Sequence, residues 1–190
     1  ERIWVETETA LGEQHPEVYW QVLADCGAVA VLLPELAVSH GISALSRAAP
    51  HTDRTDCRWA ALLADLPEAR AREASERLKA PNAFSLLATR ISGGRSSIKT
   101  ALKDATECMA LLKVLDGLRR EEPFEGFCET LVALEQKSFD AHSAVDLLRS
   151  ARDAAQNVKA ADFVDLGLTG PALGAAIQAK QIERIAKLLY

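Results

Sequence analysis

No stretch of this chain alternates apolar and polar residues with period two, while apolar spacings of three and four recur from one end to the other. A half-buried strand needs the first pattern, and an amphipathic helix needs the second. The core must therefore be built from helices. In "RWAALLADL", residues 58–66, Trp59, Leu62, Leu63 and Leu66 fall on one side. Composition points the same way. Apolar residues make up 48% but aromatics only 5%, so Ala and Leu carry the hydrophobicity, and these are strong helix formers. The expected fold class is all-α: a multi-helix array of about ten or eleven short helices, with no sheet. No repeat of fixed period emerges, which argues against a solenoid.

Punctuation residues divide the chain. "ERIWVETETALGE" puts Ile3, Trp4, Ala10 and Leu11 on one face and stops at Gly12. "HPEVYWQVLADCG" starts on Pro16, shows Val18, Tyr19, Val22, Leu23 and Cys26 at helical spacing, and closes on Gly27. Residues 39–56 mix Gly, Ser, Pro and Thr and read as a connection holding at most one short helix. "SGGRSS", residues 92–97, reads as a flexible loop. Beyond it lie further helical segments, the last being "PALGAAIQAKQIERIAKLL". No apolar run approaches membrane-spanning length.

The formal net charge is −5, so any nucleic-acid contact has to come from a local basic patch. Residues 1–37 hold one Arg against seven acids, a net of −6. Residues 90–120 hold seven bases against three acids, a net of +4. On the last helix Lys180, Arg184 and Lys187 fall within about 60° of one another at 100° per residue. Cationic faces of this kind suit RNA phosphates; the alternative is an ordinary solvated face. Thr169 and Pro171 suit the start of that helix, whose free N–H groups favour a phosphate. The four cysteines, Cys26, Cys57, Cys108 and Cys128, form no zinc or CxxC spacing and read as buried thiols of a cytoplasmic protein.

Catalytic constellations are missing from the pattern. His15, His40, His51 and His142 pair with no acid at ligand-like helical spacing. There is no P-loop, no G-x-G-x-x-G and no G-x-S-x-G. Asp65 alone cannot hold a divalent ion.

Several segments in order resemble one family. "ERIWVETETAL", "HPEVYWQVLADCGAVAVLLPEL", "RWAALLADL", "SERLKAPNAFSLLA" and "VKAADFVDLGLTGPALGAAIQAKQIERI" are similar to the neck, body and tail of bacterial CCA-adding enzymes, tRNA nucleotidyltransferases of the class shared with bacterial poly(A) polymerase. The resemblance implies residues 1–38 as the end of the neck and start of the body. It implies 39–56 as a connection, 57–140 as the body and 141–190 as the tail. It places a catalytic head upstream of Glu1, where magnesium and CTP or ATP act, so no cofactor is expected in this chain and no nucleotide addition by it alone. Some relatives carry an HD phosphohydrolase site, with a His-Asp pair running into Gly-Lys at the end of the helix resembling "RWAALLADL". Here those places read Ala64, Asp65, Pro67 and Glu68. The distal aspartate region is not recognisable in "ALEQKSFDAHSA", so no phosphohydrolase site is expected.

The implied partner is tRNA, held at its acceptor and T arms by shape and phosphate contact, as A-form RNA requires. The candidate contacts are Arg90, Arg95, Lys99, Lys103, Lys180, Arg184 and Lys187, chosen by charge and position rather than carried over from a motif. The other reading of the same residues is a helical protein-interaction module with no RNA role.

Overall fold

The computed structural model describes residues 2–135 and 140–189. Its α-helices are α1 (Arg2–Leu11), α2 (Pro16–Asp25), α3 (Ala28–Leu32), α4 (Val38–Ala48), α5 (Thr55–Leu62), α6 (Glu68–Leu78), α7 (Asn82–Gly94), α8 (Ile98–Ala101), α9 (Ala105–Val114), α10 (Glu121–Leu134), α11 (Ala141–Gln156) and α12 (Gly170–Leu189). Short 3₁₀ turns join some of them, and the described residues contain no strand. The chain forms two compact units. Unit 1 takes residues 1–96 and 122–141, and unit 2 takes 97–121 and 142–190.

Unit 1 is organised around α5, whose residues Cys57 to Leu62 are all buried. It packs on α4, α7 and α1. Trp59 is met edge-on by Trp4, ring centroids 5.2 Å apart, and at 6.2 Å by Trp20; Trp4 in turn meets Phe84 at 5.0 Å. The Trp59 indole N–H donates to Ser75 Oγ at 3.1 Å, which brings α6 into the same core. The one charged side chain among these buried residues, Arg58, is only 3% exposed. Its guanidinium donates to the carbonyls of Leu11, Glu13, Ala49 and Thr52 and to Asp53 Oδ1, over 2.7–3.3 Å. A helix end leaves carbonyls without partners. Arg58 supplies donors to the end of α1 and to the turn after α4 at once. Gly41 lets α4 approach: a Cβ there would lie 2.8 Å from the Leu62 carbonyl and 2.7 Å from Leu36 Cδ1.

Several sequence expectations need correction. Helix α5 ends at Leu62, because Leu66 precedes Pro67 and the chain turns before it. Residues 39–56, expected to be a connection with at most one short helix, hold nearly all of α4, with Ala44, Leu45 and Ala48 buried, and the start of α5. On α1 and α2 the buried face belongs to Trp4, Thr7, Leu11 and Trp20, while Ile3, Val18 and Val22 are exposed. The large rings displace the smaller aliphatics from the core because they bury more area. "SGGRSS" is helical through Gly94 and then a 3₁₀ turn, with Ser92 Oγ donating to the Leu63 carbonyl. Cys26 is exposed; the other three cysteines are buried, and none is in a disulfide.

In unit 2, α9 packs against α8 and α12. Asp104 caps α9, accepting from the N–H groups of Thr106 and Glu107 at 2.8 and 2.9 Å. Helix α11 is fastened by Arg152 to the Gly117 carbonyl at 2.6 Å and by Gln156 to that of Leu118 at 3.2 Å.

Candidate nucleic-acid interface

Helix α12 is 20 residues long and buries one side chain, Ile185. It is held by Lys113 Nζ donating to Gln178 Oε1 at 2.7 Å and by Gln181 donating to the Ala155 carbonyl at 3.2 Å. Most of its circumference faces solvent. Lys180, Arg184 and Lys187 stand at i, i+4 and i+7, so they share one stripe. Arg184 and Lys187 are exposed, and the Lys180 side chain is 42% exposed. Glu183 flanks the stripe: Lys180 Nζ donates to one of its carboxylate oxygens at 2.9 Å and Lys187 Nζ to the other at 2.8 Å. The hydrogen bonds from Lys180 and Lys187 pull the Glu183 carboxyl down to about 2. Among the described residues, no carboxylate pairs with Arg184. The helix begins at Gly170 with Pro171 second.

The other candidates divide. Lys99 and Lys103, also in unit 2, are exposed at i and i+4 on α8 and the turn before α9. Arg90 and Arg95 belong to unit 1. Arg90 is 8% exposed on α7, so its charge is not offered to a bulky polyanion. Arg95 donates from Nε to Glu135 at 2.6 Å and from Nη1 to Asp65 at 2.8 Å. It thereby ties the end of α7 to the turn after α5 and to the residue following α10. Burial opposes its charge, but these two carboxylates outweigh burial and its pKa is raised.

That ion pair sits where the resemblance would put a His-Asp pair. Ala64 is buried, and the cation beside Asp65 is a guanidinium. Among the described residues, no group of three or more His, Cys, Asp and Glu is placed to hold a metal ion. His15 lies 3.3 Å from Glu17, and His40, His51 and His142 are exposed. Of the distal segment "ALEQKSFDAHSA", residues 136–139 lie outside the described residues.

Sequence reasoning missed Arg58, Glu183 and the reach of Lys113 to α12. Glu183 was legible, since it stands three residues after Lys180 and four before Lys187. Arg58 was not: a buried arginine serving backbone carbonyls has no spacing signature.

Comparison with known proteins sets the class first. Residues 1–39 match the family model described as "Probable RNA and SrmB- binding site of polymerase A". Similarity then runs through nearly the whole chain. It is 37% identical to a CCA-adding enzyme of Pseudomonas putida (strain W619) over 97% of this chain and 50% of that protein. It is 37% identical to a "Multifunctional CCA protein" of Pseudomonas putida (strain KT2440), over 97% and 51%. A CCA-adding enzyme of Marinobacter nauticus is 32% identical over 100% and 52%. The chain matches bacterial CCA-adding enzymes along nearly all of its own length, and it spans about half the length of the curated relatives it matches. No solved structure matches it. Among the described residues, no helix is long and apolar enough to cross a membrane.

Proposed function

We propose that this chain is the tRNA-gripping region of a cytoplasmic CCA tRNA nucleotidyltransferase. It holds the acceptor and T arms while a catalytic head of the same polypeptide, using magnesium and CTP or ATP, extends the 3′ end. The observation that carries this reading is the exposed stripe of Lys180, Arg184 and Lys187 along α12. It sits in unit 2, which has 11 basic against 9 acidic residues, +2, whereas unit 1 has 11 against 18, −7. Lys99 and Lys103 extend the cationic character of the same unit. Arg90 and Arg95 contribute through the fold of unit 1 rather than by touching RNA.

The test is a salt titration of tRNA binding by the 190-residue chain. Affinity falls steeply between 50 and 200 mM salt, and the slope of log K against log[salt] drops by roughly 2 in the Lys180→Ala/Arg184→Ala double variant. A flat titration, or a slope the double variant leaves unchanged, overturns the proposal. It would favour a second reading, a protein-docking module, which the acidic first 37 residues and the exposed Val18, Val22 and Val31 support.

A further inference from the structure

We infer that Glu183 is a built-in competitor for phosphate: it occupies Lys180 and Lys187 in the free protein and limits how tightly α12 grips RNA. This rests on reading α12 as the RNA face. Each carboxylate oxygen takes one lysine, at 2.9 and 2.8 Å, as two non-bridging oxygens of a phosphate would. The carboxyl is fully ionised at any working pH, so it neither fades nor switches near neutrality. Pairs this exposed are weak in water, and an incoming phosphate exchanges for the carboxylate readily. The exchange still has a cost, because the displaced anion stays on the same helix, one residue from Arg184. Phosphates held by the stripe then sit beside a fixed negative charge. Among the described residues Arg184 has no acidic partner, so it is free to make the first contact, and the two lysines follow as Glu183 lets go. For a protein whose partner must leave after processing, a tempered grip favours release.

The experiment measures tRNA binding by the 190-residue chain at fixed low salt for the parent, E183Q, E73Q, K180A/K187A and the triple combination E183Q/K180A/K187A. Glu73 is an exposed acid of α6 paired to Arg70 at 2.7 Å, so E73Q makes the same change of charge on a helix of unit 1 rather than on α12. E183Q tightens binding by roughly three- to tenfold, the effect of one nearby like charge, and E73Q leaves it unchanged. In the K180A/K187A background the gain from E183Q disappears, because the carboxylate acts through those lysines. An E183Q equal to the parent or to E73Q overturns the inference, and so does a gain that persists without the lysines. In both cases weakening by K180A/K187A leaves the RNA reading standing. Absence of tRNA binding by the parent at this salt, or a flat salt titration in the test above, defeats the RNA reading itself and this inference with it.

Discussion

Arg58 and Arg184 carry the same side chain and meet opposite surroundings. In unit 1, Arg58 is closed off from water and distributes its donors over four backbone carbonyls and one carboxylate. Arg90 is buried there too, and Arg95 is clasped by two acids. In unit 2, Arg184 stands on the open side of a helix that buries one residue. Unit 1 thus uses guanidinium groups to hold an acidic bundle together, and unit 2 presents cations outward. Positive charge in a sequence serves two incompatible ends, and only its immediate partners decide which.

The sharpest way to break this contrast is to make the same substitution at both sites. Arg58→Met leaves the buried carbonyls of Leu11, Ala49 and Thr52, and the more open one of Glu13, without their donor. The expected loss is about 3–5 kcal/mol of unfolding free energy, read from urea denaturation or, where the variant does not fold, from loss of helical circular dichroism. Arg184→Met changes stability by less than about 0.5 kcal/mol and weakens tRNA binding at low salt instead. An Arg58→Met protein as stable as the parent would show that the buried guanidinium is dispensable and end the comparison.

Two further variants sharpen the account of unit 1. Gly41→Ala drives a methyl group against the Leu62 carbonyl, which is backbone and cannot swing aside, so about 1–3 kcal/mol is lost as α4 is pushed off α5. Arg95→Ala removes the guanidinium from Glu135, whose side chain is 14% exposed, and from the more open Asp65. The half-exposed geometry limits the cost to about 1–2 kcal/mol. Asp65→Asn costs less than Arg95→Ala, since Glu135 keeps its partner. A reversed order in urea midpoints would mean that Asp65 is the main anchor.

Much of this architecture was legible. Gly12, Gly27 and Pro16 mark helix ends where the backbone has them, because chain stiffness and flexibility act locally. The cationic spacing on α12 was also visible, since i, i+4 and i+7 fix a face whatever lies around it. Burial was less so. Val18 and Val22 satisfy helical periodicity on α2 as well as Trp20 does, and only the aromatic cluster with Trp59 decides which side turns inward. The roles of Arg90 and Arg95 were illegible for the same reason. Glu135 lies 40 residues from Arg95 along the chain, and no local pattern connects them. Helix α4 was hidden by its Gly and Ser, which are poor helix formers held in place by tertiary packing.

The cysteines allow the two units to be followed separately in one experiment. A thiol reacts as its thiolate and must be reached by reagent. Cys26 is exposed on unit 1 and labels at once in the native protein. Burial pushes the Cys57 thiol up to about 12 and that of Cys108 to about 11, so both stay neutral and hidden until their surroundings open. A folded pKa raised above its unfolded value adds stability below the unfolded value, near pH 9. That contribution is lost as pH climbs through 9 toward 11 for Cys108 and toward 12 for Cys57. Cys57 and Cys128 report unit 1, and Cys108 reports unit 2. Helix α12 packs on α9, which carries Cys108, and buries only Ile185, so unit 2 has the thinner cover and opens at lower urea. Pulsed labelling read by mass spectrometry should therefore mark Cys108 before Cys57 and Cys128. Simultaneous labelling of all three would mean that the outward-facing unit is as firmly held as the arginine-pinned one, and that its exposure does not cost it stability.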